Sequence, residues 1–178
     1  MWEAAGSENL YTVSGAFAWL YEAVVGSSEE EIFKRVWKVK VPNKVGRFVW
    51  RLVRDRLPAG RNLSLRQIPV GDENYECPLC LRVEESADHL FLSCERVRDI
   101  WQEFYLWIAV SSVGQVVPRE HFLQHWYFES GRIDGQRWMV LWAAVTWCIW
   151  CHRNKCIFNN REFQGETVLD DAMFFIWS

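Results

Sequence analysis

No segment of this sequence has the makings of an export signal or a membrane span, and both absences bear on its six cysteines. The first residues carry no basic cluster, and Glu and Ser interrupt their short apolar stretches, unlike a secretory leader. The longest apolar run, Trp138 to Cys151, is followed by His-Arg-Asn-Lys and falls a turn or two short of the roughly 20 residues a membrane helix needs. It reads as a buried helix, with no membrane partner. The expectation is an intracellular, reducing compartment, nucleus or cytoplasm, where clustered cysteines serve metal binding rather than a disulfide framework. Also missing are a phosphate-binding glycine loop, a G-x-S-x-G elbow and an H-E-x-x-H helix. His121 and His125 stand four apart, but no Glu follows His121, so a metalloprotease reading fails. There are no internal repeats and no low-complexity tracts.

The 178 residues are half hydrophobic and include twelve Trp, enough for one aromatic-heavy core. Periodicity predicts a mainly α fold. A short strand, Leu10 to Val13, precedes a helix capped by Ser14, with Phe17, Leu20, Tyr21 and Val24 on its buried face. The acidic run Glu29 to Glu31 suits a second helix start. After Pro42 a helix begins near Asn43, and Pro58-Ala59-Gly60 breaks the pattern before a short helix over 61–67. Ser86 is a cap for a helix that carries His89 and Cys94 and runs on to Trp107. A short helix through His121 and Trp126, a long one over about 136–158 and a last one from near Gly165 complete the chain. The expected fold is a small helical domain with a structural zinc knuckle and one short β-hairpin or an N-terminal strand.

The knuckle follows from the spacing Cys77-x2-Cys80-x8-His89-x4-Cys94. A C-x2-C pair turns two sulfurs toward one centre, and Pro78-Leu79 suits that turn. His89 and Cys94 close the tetrahedron. Three thiolates and one imidazole form a closed set for one structural Zn2+, with no open position for catalysis. The bound site carries a net charge of about −1, which Arg82 or Arg96 is placed to balance.

The charge distribution is uneven although the net charge is only −3. From Lys34 to Ile68 there are eleven Lys or Arg and one acid, Asp55; from Gly71 to Phe104 there are nine acids and three Arg. On a helical wheel Val45, Phe48, Val49 and Leu52 share one arc, and Lys44, Arg47, Arg51 and Arg54 line another. Such a stripe can track phosphates, and Trp50 lies close enough on the wheel to stack on a base. A solvated face paired with the acidic segment is the other reading, and the residues leave both open.

Two patterns in the C-terminal third are decoys. Cys148-Ile-Trp-Cys151-His152 spells the c-type haem attachment pattern, but it sits inside an apolar helix and no haem is expected. Cys148, Cys151, His152 and Cys156 could in principle face one another along a helix as a second metal site, but core cysteines fit better. Asp170-Asp171 lies in a helical pattern, not in the aromatic-x-Asp-Asp hairpin of a polymerase.

The strings VPNKVGRFVWRLVRDRLPAGRNLSLRQI, CPLC and ESADHLFLSCERVRDIWQEF resemble the zinc-binding domain found behind the reverse transcriptase of plant LINE-type (non-LTR) retrotransposons. The similarity reaches back through Trp2 and YTVSGAFAWL and forward to LWAAVTWCIWCHRNKCIF, a Trp-rich segment ending in an Arg-Asn pair. It implies zinc at Cys77, Cys80, His89 and Cys94. It also implies a zinc-binding helical domain over 1–110 and a Trp-rich helical extension over 111–178, truncated at its C-terminus. Polymerase and RNase H motifs are absent from this chain, so no enzyme is expected. The expected role is a non-catalytic module of a retrotransposon reverse transcriptase that contacts RNA or DNA through its basic helix. The alternative is a protein-interaction or structural module, docked on the polymerase or a ribonucleoprotein, or a vestigial retroelement fragment.

Overall fold

The computed structural model describes residues 29–69, 75–112, 114–124 and 134–177. The expected strand at Leu10 to Val13, the Ser14 helix, His125 and Trp126 lie outside the described residues. Chain contacts divide the molecule into two units, 1–35 and 36–178. Of the first, the described part is the beginning of helix α1 (Glu29–Val36), which starts where the acidic run predicts it and carries Lys34 and Arg35 in its last turn. Cations there suit the negative end of the helix dipole. The sites described below lie within the second unit.

Helix α2 (Asn43–Val53) follows Pro42, whose carbonyl accepts from the Val45 and Gly46 amides. Val45, Phe48, Val49, Leu52 and Val53 are buried, while Lys44, Arg47 and Arg51 are exposed, as the apolar period requires. The helix ends at Arg54, and Asp55 takes a positive φ of 49°. Asn62 holds this turn in place. Its Nδ2 lies 3.0 to 3.1 Å from Asp55 O, Asp55 Oδ1 and Leu57 O, so the Asn four residues after Pro58 staples the Arg-Leu-Pro turn. Asn62 belongs to α3 (Gly60–Ser64). This helix is shorter than expected because Gln67 turns left-handed (φ 56°) and the Ile68 amide closes back onto Leu63 O at 3.0 Å, a C-terminal capping pattern.

The cysteine pair sits in a tight β-turn-like loop. An antiparallel bridge joins Glu76 to Glu84, with Cys77 N donating to Val83 O and Glu85 N to Tyr75 O, each at 2.7 Å. This bridge is what exists of the expected hairpin. Ser86 caps the next turn as predicted, accepting from His89 N at 3.1 Å. The single helix expected from there to Trp107 is instead two pieces. His89–Ser93 is a π-helical turn, Cys94 is extended (φ −63°, ψ 130°), and α4 (Glu95–Ile108) starts after it.

Helices α5 (Pro118–Leu123), α6 (Gly135–Asn159) and α7 (Glu166–Trp177) complete the second unit. Asp134 caps α6 through Arg137 N (2.8 Å), and Asn160 ends it in the left-handed region. α6 is the central element, packed on α2 and α7; α2 also meets α5, and α4 meets α7. No helix among the described residues is long and apolar enough to cross a membrane. The apolar run of α6 is core: Trp138, Met139, Trp142, Ala143, Val145 and Ile149 are buried.

Trp101, Trp138 and Trp142 are core residues whose N–H groups are satisfied, as burial demands. Trp101 donates to Phe91 O (2.7 Å), Trp138 to Phe122 O (2.8 Å) and Trp142 to His121 Nδ1 (2.6 Å). Phe48 of α2 meets Phe91 and Trp147 edge-on at 5.9 and 5.3 Å, and Phe91 stacks on Trp150 at 6.3 Å. These rings tie the cysteine-rich segment to α2 and α6.

Candidate metal centre and basic face

The donor atoms of Cys77, Cys80, His89 and Cys94 all lie within 4.8 Å of one another. All six cysteines of the chain are free thiols. Cys80 Sγ stands 3.3 Å from His89 Nε2, close to the edge of about 3.5 Å that zinc–sulfur and zinc–nitrogen bonds set in a tetrahedron. Cys77 and Cys94 are buried, Cys80 and His89 half-buried. The donors match a structural zinc site in type, number and proximity, and the cluster suits one zinc ion.

The backbone explains why the donors converge. Cys77 and Cys80 sit at the two ends of the turn that Leu81 N closes onto Cys77 O at 2.8 Å, with Leu81 left-handed at φ 54°. His89 and Cys94 are five residues apart, which on an α-helix leaves them about 140° around the axis. The wider π turn, closed by Cys94 N to His89 O at 2.8 Å, corrects this, and the extended Cys94 frees its side chain from the next helix. A π turn at a functional position is a recurrent use of that rare geometry.

A hydrogen bond to Cys94, reinforced by burial, pushes the Cys77 thiol far up, and the same bond holds the Cys94 thiol below its ordinary value. Backbone N–H groups of Leu79 and Cys80 work against the rise at Cys77, and that of Arg96 favours the Cys94 thiolate. Burial lowers His89, keeping the imidazole neutral. Metal binding at such a set requires three thiolates and a neutral ring, and these backbone donors favour the thiolate form. Arg82 and Arg96 are engaged elsewhere: Arg82 pairs with Glu95 at 2.9 Å, and Arg96 donates to Phe163 O at 3.2 Å.

A second polar centre, not foreseen from the sequence, lies behind the knuckle. Glu85 and Arg153 are 2% and 5% exposed. They form a bidentate pair, Nε to Oε1 and Nη2 to Oε2, both 2.6 Å. Glu85 Oε2 also accepts Gly60 N at 2.7 Å, and Glu85 O accepts Arg61 N at 2.8 Å. Arg153 stacks on Trp150 at 4.6 Å and donates to Asn154 Oδ1 at 3.0 Å. One carboxylate thus joins the end of the cysteine hairpin, the start of α3 and the Arg-Asn pair of α6.

A third network surrounds His121, which burial holds down at about 3. The Trp142 indole donates to Nδ1, so the neutral ring carries its proton on Nε2 and donates to Tyr105 Oη at 2.7 Å. Gln124 Nε2 also donates to Tyr105 Oη, and Ser112 Oγ donates to Gln124 Oε1, each at 2.6 Å. A cleft of about 740 Å³ opens beside Tyr105, between Arg98, Gln102 and Gln115.

Lys44, Arg47, Arg51 and Arg54 are all exposed on the outer side of α2 and just past its end. Trp50 is half-buried: it packs on Trp37 (6.5 Å between centroids), and the Arg54 guanidinium lies 5.1 Å from its ring centroid. Lys44 Nζ sits 5.7 Å from the Trp147 ring. Among the described residues the C-terminal cysteines join no cluster of metal-ligating side chains. Burial pushes Cys148 up to about 12 and also raises Cys151 and Cys156, as for core thiols.

A family model described as zinc-binding in reverse transcriptase matches residues 11–101, just over half of the chain and all four clustered ligands. No curated protein and no solved structure matches the chain.

Proposed function

We propose, from the premise that this chain belongs to the family of zinc-binding domains in reverse transcriptase, that it is a non-catalytic module that contacts RNA or DNA through the basic face of α2. In this reading Cys77, Cys80, His89 and Cys94 hold one structural zinc, and the parent protein is a plant LINE-type retrotransposon reverse transcriptase. The closed Cys3His donor set leaves no ligand position for a substrate, which supports a structural role for the metal. The compartment is a reducing one, where the thiols stay available.

The observation that carries nucleic-acid contact is the segregation of α2. Its apolar face is buried, and its opposite side exposes Lys44, Arg47 and Arg51, continued by Arg54. Ten residues of helix span about 15 Å, long enough to follow several phosphates. Each neutralised phosphate releases condensed counterion and steepens the salt dependence of binding. The test is titration of a labelled single-stranded RNA at two salt concentrations with wild type and with Arg47→Glu/Arg51→Glu. The reading expects salt-dependent binding that the double substitution abolishes. Equal binding by both proteins, or binding by neither, overturns it.

A protein-docking role has one observation in its favour. Leu106, Trp107 and Phe174 expose 75%, 54% and 77% of their surface, unusual for large apolar side chains. Salt-indifferent association with the polymerase, unaffected by the α2 substitutions, would favour this second reading.

A further inference from the structure

We infer that Trp37, backed by Trp50 and Arg54, is a base-stacking platform that makes the basic face select single-stranded over duplex nucleic acid. The inference rests on the proposed nucleic-acid role of α2 and adds the form of the ligand and the residue that reads it.

The sequence directed attention to Trp50 as the ring for stacking. The structure places Trp50 half-buried, with Trp37 packed 6.5 Å away at a 36° tilt and the Arg54 guanidinium 5.1 Å from its centroid. Trp37 is the ring presented to solvent, 58% exposed in the turn just after α1. It is flanked in the chain by Lys38 and Lys40, both exposed. The Trp37 ring lies against α2 at Gly46: a Cβ there would stand 4.0 Å from its six-membered ring, at ordinary van der Waals distance. The ring is therefore held against the basic helix rather than projecting away from it.

The arrangement distinguishes ligands. An exposed indole amid lysines and arginines offers an unstacked base a π-face while the cations track its backbone. A duplex keeps its bases stacked on one another and shows the surface only phosphate and groove edges. A basic stripe without the ring would take both forms by charge alone; the ring adds a contribution that only a single strand can use. Stacking on one aromatic ring typically changes affinity by about 5- to 150-fold on removal.

The experiment measures the binding of the zinc-loaded full chain to a 12-nucleotide RNA and to a hairpin duplex of matching charge, by fluorescence anisotropy at two salt concentrations. The proteins are wild type, Trp37→Leu and Trp37→Phe; Leu retains apolar bulk without a π-face, and Phe retains the face. Melting curves establish that each variant is folded. The expected result is a single-strand preference of about fivefold or more in wild type. Trp37→Leu removes it with the salt slope unchanged, and Trp37→Phe restores most of it. Trp37→Leu binding like wild type, or equal wild-type affinity for both RNAs, overturns the stacking platform and leaves the basic-face reading standing. Absence of any salt-dependent binding by wild type overturns both.

Discussion

Arg153→Met is the substitution through which the packing of this molecule is most directly probed. Arg153 and Glu85 lie 68 residues apart and form a bidentate pair with both nitrogen–oxygen distances at 2.6 Å, at 5% and 2% exposure. Replacing Arg153 by an apolar side chain of similar length leaves the Glu85 carboxylate buried with Gly60 N as its remaining donor among those described. Removing one member of a buried pair in this way costs about 3–5 kcal/mol, a large part of the roughly 5–15 kcal/mol that holds a domain together. With a urea slope near 2 kcal/mol/M, the midpoint should fall by about 2 M. The double variant Glu85→Gln/Arg153→Met removes the orphaned charge yet keeps an amide oxygen for Gly60 N. It should therefore be more stable than Arg153→Met alone. The assay is equilibrium urea unfolding in saturating zinc, followed by far-ultraviolet circular dichroism. An Arg153→Met midpoint within about 0.5 M of wild type, or a double variant weaker than the single one, would show that the buried pair does not hold the fold in this way.

Two further outcomes follow from other positions. Gly60→Ala, which in most helices gains up to about 1 kcal/mol, should here destabilise by about 1–3 kcal/mol, because the new Cβ falls 2.8 Å from the backbone oxygen of Tyr75 and 3.2 Å from Glu85 Cβ; thermal melting of the variant measures this. His121 is held at about 3 in the folded chain against an ordinary value near 6.5 in the unfolded one, so the unfolded state alone takes up this proton between those values. Stability should be fullest above pH 6.5 and fall by about 1.4 kcal/mol per pH unit below it, until the folded ring titrates near 3. Urea midpoints measured from pH 7 to pH 5 in wild type and His121→Gln should show the shallower slope in the variant, and identical slopes would dissociate His121 from the acid limb.

The elements that the sequence foretells are those written in local period. The α2 pattern of Val45, Phe48, Val49 and Leu52 against Lys44, Arg47 and Arg51 recurs as its buried and exposed faces. The long apolar run becomes α6, stopped at Asn160 as Asn159-Asn160 suggests. The four ligands are legible because C-x2-C and H-x4-C are short-range spacings that a turn and a helix entry can close. What escaped lies between distant segments or in rare geometry. No period pairs Glu85 with Arg153, and the Arg-Asn signal in the C-terminal third gains its meaning only once α6 is laid beside the hairpin. The Tyr105–His121–Trp142 chain likewise joins three helices. A continuous helix was expected across His89 and Cys94 because Ser86 caps it and the flanking residues keep helical period. The requirement that both ligands face one point overrides that continuity with a π turn and an extended Cys94. The exposure of Trp37 is not legible in the sequence, because it depends on where the chain turns after α1.

Whether one zinc ion, held by Cys77, Cys80, His89 and Cys94, organises the middle of the chain is decided by the zinc content of the purified protein beside that of Cys77→Ser/Cys94→Ser, measured by atomic absorption after dialysis against zinc-free buffer. One zinc per wild-type chain and none in the double variant is the expected result. One equivalent retained by the double variant, or none in a folded wild type, would contradict it.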